Sequence, residues 1–561
     1  MSGITEDVIK AYALENAIKH DGKANTGAVL SGLFAEGLEK SMIKDFMPKI
    51  QKIVHNVNSM SVDEQKKELE NSPKISKRKI REGLPELPNA EKGKVVMRIA
   101  PFPSGPLHIG NARALILNDE YTRMYDGKLM LVIDDTIGSE EKPIEPEAYD
   151  LIVEGIKFLG VNFDKKIIYK SDRFDLYYSY AEEMIKKGYL YVCECSQEKM
   201  HEMREKGIEC PCRNLPPKEQ LKRWEKMFSS PVGSMSVRIK TSMQDPDPAF
   251  RDRVMFKISD RPHPKTKTKY RIYPSMEFSW AIDDSLLGTT HVLRGMEHQM
   301  STRIQDFIRN IFGWKNPVSI YNGLFGIDGV KISKSKSAKE VKSGEYIGWN
   351  DPRTWSLQSL RDRGIQPEAI RQFILNAGMS KSNVKVPVEV LYSLNKKIIG
   401  DSSRYFFVEN PKEIKINGCP HLTAKLPLHP TIKRGFREYE TTQNFLISRK
   451  DFDFIEDGNY RLMHLLNFKT IKTSALETRK YSFISEEPTN DLNVKFIQWL
   501  PAQAKNIKTK ILMPDGKYIE GLSEPETINL KVGDIIQFER FSFVRLYRKN
   551  GNELEFWLTH N

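Results

Sequence analysis

Residues 95–111 read VVMRIAPFPSGPLHIGN, and this stretch decides the fold. It opens with a short apolar run, residues 95–100, and continues with a turn that is rich in proline and glycine. A helix is predicted from about His108 to Tyr125, and a second apolar run follows over residues 129–133. A strand, a helix and a second strand in this order predict a βαβ unit and therefore a parallel sheet.

The turn between the first strand and the helix has the features of a phosphate-binding site. Gly105 and Gly110 lack a Cβ atom, so a nucleotide can approach the backbone closely. The helix N-terminus offers free N–H groups and the positive end of its dipole to an anion. His108 can donate a hydrogen bond to an α-phosphate oxygen, where charge builds up in the transition state. Taken alone, the same residues also fit a tight turn with a surface histidine. The predicted ATP-binding residues of this segment are Pro103, Ser104, Gly105, His108, Gly110 and Asn111.

A second motif lies far downstream, where residues 331–335 read KISKS. The ammonium groups of Lys331 and Lys334 can neutralise a departing pyrophosphate, and the serines favour a mobile loop. Alone, this pentapeptide fits a charged loop without a ligand. Its pairing with the upstream motif favours two halves of one ATP site. The further ATP-binding residues are predicted to be Ser333 and Lys334, and the catalytic residues His108, Lys331 and Lys334.

These two motifs resemble the signatures of the class I aminoacyl-tRNA synthetases, which read His-Ile-Gly-His and Lys-Met-Ser-Lys-Ser. Asn111 stands at the fourth position of the first signature and can still donate a hydrogen bond. Ile332 replaces the methionine of the second signature and keeps its size and apolarity. Within the class, the chain resembles the glutamyl/glutaminyl branch, and most closely its archaeal-type glutamyl-tRNA synthetases, over most of its length. The segments that carry this likeness are 98–101 (RIAP), 133–136 (IDDT), 291–295 (HVLRG) and 324–329 (LFGIDG).

The resemblance implies the fold class and the domain order. The implied fold class is α/β, with a Rossmann-like parallel-sheet catalytic domain, an inserted acceptor-binding subdomain, helical N-terminal and stem regions, and C-terminal β-barrels. The expected domains are a helical N-terminal extension (1–92), the first half of the catalytic domain (93–192), an inserted subdomain for the tRNA acceptor end (193–269), the second half of the catalytic domain with the KISKS loop (270–335), a helical stem (336–400) and anticodon-binding β-barrels (401–561).

The resemblance also implies the reaction, which is the ATP-dependent attachment of L-glutamate to tRNA(Glu) through a glutamyl-adenylate, with release of AMP and pyrophosphate. Mg²⁺ should accompany ATP, because the charge of the polyphosphate needs a hard cation. The expected protein is a cytoplasmic monomer that requires bound tRNA even for activation. Whether tRNA(Gln) is also glutamylated stays open. Three other functions also stay open: a glutaminyl-tRNA synthetase, a tRNA-binding paralogue without catalysis, and a small nucleotidylyltransferase with a similar histidine signature.

Three residues are predicted to bind the amino acid. Arg98 on the first strand can form a bidentate pair with a side-chain carboxylate, and Asp134 at the end of the second strand suits the ammonium group. The resemblance implies the same roles and places Arg294 near the substrate side chain. Each of the three also fits a structural salt bridge at the sheet edge. Met276 replaces a tyrosine that is frequent in relatives, and His298 stands where bacterial glutamyl enzymes have a tryptophan, so the details of side-chain recognition stay open.

Four of the five cysteines form two closely spaced pairs, Cys193 with Cys195 and Cys210 with Cys212. Two cysteines one residue apart cannot easily bond each other, but all four thiolates can face one tetrahedral metal ion. The pattern predicts a structural Zn²⁺ site that braces the inserted subdomain. The alternative is four reduced thiols. The fifth cysteine, Cys419, stands apart.

Composition agrees with a polyanionic partner. The 561 residues carry a formal net charge of +13. The basic residues spread along the chain, which favours nucleic acid, although a solvated basic surface explains the charge equally well. No apolar stretch of about 18 residues indicates a membrane span, and the first residues lack the pattern of a signal peptide. A soluble intracellular protein is therefore expected.

Strand-like patterns occur in two further regions. Sheet-like patterning is predicted over Tyr270–Ile282, and short strands dominate residues 401–561. In the second region, Pro514-Asp515-Gly516 and Asn550-Gly551 each predict a turn between two strands. Spaced short strands of this kind favour β-barrels, which would read the anticodon. The anticodon-reading candidates of this region are Arg434, Phe436 and Trp499.

Overall fold

The computed structural model describes residues 4–39, 42–73, 75, 83–137, 142–330, 333–472, 479–488 and 494–561. The chain divides into two compact units, Met1–Pro85 and Glu86–Asn561. The α/β fold class is confirmed, since the described part of the second unit combines parallel sheets, helices and two barrel-like sheets. Of the helices that the structure describes, none has the length and the apolarity to cross a membrane.

The first unit packs its described helices around an apolar core. Thr5 caps the first helix, because its side chain accepts a hydrogen bond from the Val8 N–H. Ser61 and Glu64 form a capping box at the start of the last helix. Both caps satisfy backbone N–H groups that have no partner inside a helix. The helices are α1 (Glu6–Lys19), α2 (Thr26–Leu33), α3 (Ile43–Asn58) and α4 (Val62–Glu70).

The second unit opens with the predicted βαβ unit. Its first elements are β1 (Val96–Ile99), α5 (Ile109–Met124), β2 (Lys128–Ile133), α6 (Ala148–Phe158), β3 (Ile168–Tyr169) and α7 (Phe174–Lys186). β1 and β2 pair in parallel, as the sequence predicts, and β3, which was not predicted, pairs in parallel with β2. The side chain of Asn111 accepts a hydrogen bond from the His108 N–H and so caps the start of α5. Gly127 lets β2 start beside β1, since a Cβ atom there would lie 2.5 Å from the Val95 carbonyl oxygen.

An antiparallel sheet follows and carries the segment that the sequence predicts to be an insertion. Its elements are β4 (Leu190–Cys193), α8 (Gln197–Lys206), α9 (Pro217–Met227), β5 (Ser236–Ile239), β6 (Val254–Ile258) and β7 (Ile272–Pro274). The four strands pair in chain order. Their buried side chains share one apolar cluster with α7. The segment from β4 to β7 is therefore held to α7 by a common core.

The chain then returns to the parallel sheet. The elements are α10 (Met276–Leu286), β8 (His291–Gly295), α11 (Gln299–Ile311), β9 (Val318–Asn322), β10 (Phe325–Asp328), α12 (Lys334–Ser343), α13 (Leu357–Arg363), α14 (Pro367–Ala377), β11 (Val384–Pro387) and α15 (Val388–Ile399). β8 and β9 pair in parallel, and the Thr290 N–H donates to the Val96 carbonyl oxygen, which sets β8 beside β1. The strand order is therefore β3-β2-β1-β8-β9. The chain adds strands on one side of β1 first and on its other side afterwards, so the order reverses between β1 and β8. Ligands of open parallel sheets bind at such a point, beyond the carboxyl ends of the strands.

The sheet-like patterning predicted over Tyr270–Ile282 is correct only for β7. The Ser275 side chain accepts a hydrogen bond from the Phe278 N–H and caps α10, so a helix follows in place of a longer strand. This difference matters because α10 carries Trp280 and Asp284, which both contact Arg98.

The last region consists mainly of strands. The elements are β12 (Arg404–Tyr405), β13 (Phe407–Glu409), β14 (Lys412–Asn417), β15 (Leu422–Pro427), β16 (Phe436–Thr441), β17 (Asn444–Ile447), α16 (Arg449–Phe454), β18 (Gly458–Leu462), β19 (Leu466–Lys472), β20 (Arg479–Ser485), β21 (Lys495–Ile497), β22 (Trp499–Pro501), β23 (Ile507–Leu512), β24 (Tyr518–Ser523), β25 (Ile535–Phe538), β26 (Ser542–Asn550) and β27 (Glu553–His560). One sheet has the order β12-β25-β26-β27-β23-β24-β13 and another the order β21-β18-β19-β20-β14-β17-β22. Both predicted turns are confirmed, since they join β23 to β24 and β26 to β27 in antiparallel pairs.

Candidate active site

A cavity of about 250 Å³ lies beyond the carboxyl ends of β1, β2 and β8. The residues that line it are Arg98, Ile99, Ala100, Pro101, Leu107, Asn111, Ala114, Leu115, Asn118, Asp134, Met276, Trp280, Leu293, Arg294, Gly295 and His298. The structure thus brings together the three residues that were predicted to bind the amino acid, although they come from three different strands.

Arg98 makes a bidentate ion pair at one wall of this cavity. Its Nε and Nη2 donate to the two carboxylate oxygens of Asp284, at 2.8 and 3.2 Å. The guanidinium also stacks on Trp280, 3.7 Å from the ring centre. The edge of Arg98 that the sequence assigns to a substrate carboxylate is therefore taken by Asp284, and no hydrogen bond from Nη1 to another described residue is seen.

Two more arginines surround Asp284. Arg309 donates to the same carboxylate at 3.2 Å. Burial opposes the ionisation of Asp284, but the arginines outweigh this effect and hold the pKa of Asp284 below its ordinary value. Arg294 Nη1 donates to two side-chain oxygens of α11 at 2.6 and 2.9 Å, and its buried Nε has no partner among the described residues. Burial, together with the neighbouring charge of Arg98, lowers the pKa of Arg294 to about 10. Arg309 also pairs with Asp306 at 2.9 Å. Three arginines thus face two carboxylates, and this wall keeps a surplus of positive charge.

Asp134 is held by a second set of contacts around the same tryptophan. Trp280 Nε1 donates to Asp134 Oδ2 at 2.9 Å. The fully buried ammonium of Lys170 lies 3.7 Å from Asp134 Oδ1 and 3.9 Å from Asp283 Oδ2. Burial lowers the pKa of Lys170, and the two carboxylates oppose this effect. Lys170 also lies 3.7 Å from the centre of the Trp280 ring, as Arg98 does, so both cations contact the same ring.

Four residues of this wall were not predicted: Lys170, Trp280, Asp284 and Arg309. The available signal was the pair Asp283-Asp284, which directly follows the run Phe278-Ser279-Trp280-Ala281-Ile282. Carboxylates next to such a run are buried only when cations pair with them. The sequence does not say which cations these are.

His108 lies at the start of α5, in space that Gly110 leaves open. A Cβ atom at residue 110 would lie 2.9 Å from Cε1 and 3.0 Å from Nδ1 of His108. Gly110 therefore leaves space for the His108 imidazole, whereas the sequence predicted that a nucleotide would occupy this space. The Nδ1 atom is buried and has no hydrogen-bond partner among the described residues, so it is available to a ligand.

Two lysines act on His108. Burial, with the charges of Lys334 and Lys142, lowers the pKa of His108 to about 3, so the imidazole is neutral near pH 7. Burial and the charge of Lys142 lower the pKa of Lys334 to about 8. Effects of this kind require short separations, so the first motif and Lys334 meet at one site. Lys142 was not predicted, and Lys331 lies outside the described residues.

The loop before α5 packs against Trp349. Gly105 has a φ of +136°, and a Cβ atom there would lie 2.9 Å from the Trp349 ring. The neighbouring hydroxyl of Ser104 is buried and has no partner within the described part of the chain. Ser333 caps α12 with its side chain, so Lys334 is the first residue of a helix whose N-terminus also favours an anion.

Comparison with known proteins identifies the family. Residues 94–401 match the family described as "tRNA synthetases class I (E and Q), catalytic domain". Residues 402–482 and 496–547 match two further domains of the same class, each described as an anti-codon binding domain. The chain belongs to the class I tRNA synthetases of the E and Q type.

Relatives of this synthetase match it over nearly its whole length. The protein named Glutamate--tRNA ligase from Pyrococcus abyssi is 42% identical over 567 residues, which cover 98% of each chain. The protein of the same name from Methanocaldococcus jannaschii is 42% identical over 550 residues, again 98% of each. A crystal structure of a glutamate tRNA ligase from Elizabethkingia meningosepticum overlaps 55% of this chain and 70% of that chain, at 19% identity and a TM-score of 0.40. The predicted membership of the glutamyl/glutaminyl branch is confirmed by the family match and the full-length relatives.

A second, larger cavity of about 1080 Å³ adjoins the first one in this synthetase. Asp134 and Met276 line both cavities. Residues of β6 and β7, together with Lys142, form much of the remaining lining. β6 and β7 therefore form one wall of a cavity that reaches Asp134.

The four cysteines of the synthetase's insertion, Cys193, Cys195, Cys210 and Cys212, come together in space. Their sulfur atoms all lie within 4.8 Å of one another. The Cys210 sulfur lies 3.4 Å from those of Cys193 and Cys195. A tetrahedral Zn²⁺ with Zn–S distances of about 2.3 Å sets its sulfurs about 3.8 Å apart. The four residues therefore fit one zinc ion.

The anticodon candidates of the synthetase differ in exposure. The Phe436 side chain is 59% exposed, and the Lys425 ammonium lies 4.8 Å from its ring centre. Arg434 is exposed as well. Trp499 is only 1% exposed, and its Nε1 donates to the Met463 carbonyl oxygen at 2.9 Å. The expectation that Trp499 contacts RNA is therefore wrong, because its ring belongs to the core.

Proposed function

We propose that this synthetase attaches glutamate to tRNA through a glutamyl-adenylate formed from ATP. The observation that carries the proposal is the surplus of positive charge where Arg98, Arg294 and Arg309 lie around Asp284, with Asp306 as the second carboxylate that pairs with Arg309. A substrate carboxylate neutralises this surplus, whereas the amide of glutamine leaves it in place. The names of the full-length relatives support the same substrate.

The two recognition points of the cavity match the two ends of glutamate. Asp134 accepts hydrogen bonds from the α-ammonium group, while Arg98 Nη1 and Arg294 Nε donate to the side-chain carboxylate. Trp280 donates a hydrogen bond to Asp134 and stacks on Arg98, so it sets the distance between these two recognition groups. The α-carboxylate is then turned toward the N-terminus of α5, where the phosphates of ATP bind.

The first step needs no nucleophile from the protein. An oxygen of the glutamate α-carboxylate attacks the α-phosphorus of ATP, and pyrophosphate leaves with the electron pair of the broken P–O bond. The neutral imidazole of His108 donates a hydrogen bond to the α-phosphate oxygen as charge develops there. Lys334 and Lys142 attract the leaving pyrophosphate, and Lys331 joins them on sequence grounds. Mg²⁺ that arrives with ATP supplies further charge neutralisation.

In the second step the tRNA takes the glutamyl group. A terminal ribose hydroxyl attacks the carbonyl carbon of the adenylate, the bond from that carbon to the phosphate oxygen breaks, and AMP leaves with the hydroxyl proton on its phosphate. The second cavity gives the 3′ end a route to Asp134. At the other end of the tRNA, the exposed Phe436 beside Lys425 offers a ring on which an unpaired anticodon base can stack.

A structural Zn²⁺ on the four cysteines is part of the proposal. Cys193 ends β4, Cys195 precedes α8, and Cys210 and Cys212 lie between α8 and α9. One ion therefore ties together three parts of the insertion. Four thiolates leave no position open for water, so the ion braces the fold and takes no part in the reaction.

A charging assay tests the proposal. Purified chain, ATP and Mg²⁺ are incubated with tRNA(Glu) or tRNA(Gln) and with labelled glutamate or labelled glutamine. Glutamate should be attached to tRNA(Glu) and glutamine to neither, and the tRNA(Gln) arm shows whether that tRNA is also glutamylated. The variant His108→Asn should lose at least about a hundredfold in kcat, while the exposed control His55→Asn should not change it.

Two results would reject the proposal. Attachment of glutamine alone would identify a glutaminyl enzyme. No charging and no pyrophosphate exchange, with folded protein and tRNA present, would identify a tRNA-binding protein without catalysis. Sedimentation of the same preparation tests the expected monomer.

A further inference from the structure

His263 is a buried residue in a largely exposed loop. The loop joins β6 to β7, and its first residues line the second cavity. His263 is only 3% exposed, whereas Arg261, Lys265 and Lys267 are exposed. Two backbone hydrogen bonds of 2.8 Å between His263 and Lys267 close the tip of the loop. A buried imidazole needs partners for its two ring nitrogens, and these partners show what the residue does.

The contacts of the two ring nitrogens fix the tautomer of His263. Nε2 lies 2.6 Å from the backbone carbonyl oxygen of Asp135, which can only accept a hydrogen bond. The backbone nitrogens of Lys265 and Thr266 lie 3.2 and 3.3 Å from Nδ1, and their N–H groups can only donate. Nε2 therefore carries the proton and Nδ1 accepts. One nitrogen shapes the loop, and the other ties the loop to the neighbour of Asp134.

Asp135 is held at its side chain as well. It is fully buried, and its carboxylate accepts hydrogen bonds from the Ser171 N–H and hydroxyl at 2.9 and 2.7 Å and from the Tyr149 hydroxyl at 2.9 Å. Ser171 directly follows Lys170, whose ammonium lies 3.7 Å from Asp134 Oδ1. Asp135 thus connects the loop between β6 and β7 to the segment that carries Lys170.

The chain is therefore fixed on both sides of Asp134. The Asp134 N–H donates to the Pro101 carbonyl oxygen at 3.0 Å. On the other side, the Asp135 carbonyl oxygen accepts from His263. These contacts limit how far the Asp134 carboxylate can turn away from the cavity that it lines.

We propose that His263 is a positioning residue for amino-acid activation, which acts through Asp135 to keep Asp134 directed at the α-ammonium group of the substrate. The inference rests on the proposed function, because it takes Asp134 as the group that binds this ammonium. It also gives the loop between β6 and β7 a role in the first step of the reaction, since a displacement of this loop weakens the binding of the amino acid.

Two substitutions separate the two nitrogens of His263. In His263→Gln the side-chain amide places an N–H near the position of Nε2, so the bond to Asp135 is kept and the acceptor for the loop is lost. In His263→Asn the shorter side chain places its oxygen near the position of Nδ1, so the loop keeps its acceptor and Asp135 loses its donor. The two variants therefore keep different contacts.

Steady-state charging kinetics, with tRNA present, measure the KM for glutamate and the KM for ATP. We expect the KM for glutamate to rise by about tenfold or more in His263→Asn, and to stay within about threefold of the wild type in His263→Gln. The KM for ATP should stay within about twofold of the wild type in both variants. The reverse order of the two variants would overturn the inference, because His263 would then serve only to close its own loop. An equal rise of both KM values in His263→Asn would overturn it as well, since the damage would then be general.

Two further variants cover the case in which the melting temperature shows that His263→Asn does not fold. Ser171→Ala removes one hydrogen bond from the Asp135 carboxylate, so the KM for glutamate should rise by about threefold or more. Lys267→Met is the matched control in the same loop, because only the backbone of Lys267 is bonded to His263. It should leave both KM values unchanged, and a rise of the KM for glutamate as large as that in Ser171→Ala would overturn the inference.

The outcomes separate this inference from the proposed function. If the wild type charges tRNA with glutamate, and His263→Asn or Ser171→Ala keeps the KM of the wild type, only this inference fails. A wild type that charges no tRNA with glutamate rejects the proposed function itself.

Discussion

Trp280 is the residue on which the amino-acid end of the cavity depends. The ammonium of Lys170 and the guanidinium of Arg98 each lie 3.7 Å from its ring centre, and its Nε1 donates to Asp134. Asp134 and Arg98, the two groups that are proposed to recognise glutamate, are thus both held against one rigid ring. A small displacement of this ring moves both groups, and misplacements of about 1 Å are enough to cost an enzyme much of its rate.

Lys170 tests this arrangement, because it supports the ring without lining the cavity. In Lys170→Met the carboxylates of Asp134 and Asp283 lose the cation between them and repel each other. We expect the KM for glutamate to rise by about tenfold or more, with the KM for ATP within about twofold of the wild type. Steady-state kinetics measure both constants. The exposed control Lys166→Met should change neither, and an equal rise of both constants in Lys170→Met would show general damage in place of the positioning role.

Lys334 gives ATP binding a dependence on pH. Burial and Lys142 lower its pKa to about 8, so the free enzyme loses this charge as the pH rises through that value. Bound polyphosphate restores the charge, and binding therefore takes up a proton above pH 8. We expect the Kd of ATP, measured by calorimetry, to be about tenfold higher at pH 9 than at pH 7. Lys334→Arg stays charged and should remove most of this rise. Lys336→Arg is the control. If it also removed the rise of the ATP Kd with pH, the rise could not be assigned to Lys334.

At the scale of elements, the start of α5 has room for the His108 imidazole because Gly110 has no side chain. A Cβ atom in Gly110→Ala would lie 2.9 Å from His108 and displace its ring, although alanine is the better helix former. We expect kcat to fall by about a hundredfold or more, with a melting temperature equal to or above that of the wild type. The double variant with His108→Asn should be no slower than His108→Asn alone, because both changes act through the same imidazole. Additive losses would show that Gly110 has another role.

The β1–α5–β2 unit could be predicted from the sequence, because apolar runs, a proline- and glycine-rich turn and Gly127 mark its elements locally. The end of β7 could not, since α10 begins at a serine cap inside a stretch of mixed residues. The same limit applies to the site. Arg98 and Asp284 are 186 residues apart, so no local pattern shows that Asp284 occupies the bidentate edge of Arg98. The fit of Gly105 against Trp349 is equally non-local, and so is the effect of Lys142 on His108.

The insertion provides the metal prediction. The four cysteine sulfurs lie within 4.8 Å of one another, as one Zn²⁺ requires. Metal analysis of the purified chain should find about one zinc per chain, and Cys210→Ser should lower both this content and the melting temperature. Cys419→Ser is the matched control, since Cys419 is buried in the core of the C-terminal sheets and should leave the zinc content unchanged. If Cys210→Ser and the wild type had the same zinc content, the four cysteines would not be the zinc site.

At the scale of the whole molecule, positive charge is spread along the chain and its substrate is a polyanion. The formal net charge is +13. The second unit presents cations near the reaction site, such as Lys142 and Lys257, and also in the barrel-like sheets, such as Lys425 beside Phe436. A tRNA that contacts both regions has many of its phosphates close to lysine and arginine side chains. Its binding then releases counterions, which small substrates do not.

This difference predicts opposite responses to salt. Between 50 and 200 mM KCl we expect the KM for tRNA to rise by at least about tenfold, because each neutralised phosphate adds to the slope of log K against log salt. The KM for glutamate should change by less than about twofold, because its charges meet buried partners that salt screens weakly. Both KM values come from the same charging assay. A general loss of activity in salt therefore affects both, and is told apart from weaker tRNA binding, which raises only the KM for tRNA. Equal salt dependence of the two constants would mean that the positive charge does not hold the tRNA, and that the +13 charge belongs to an ordinary solvated surface.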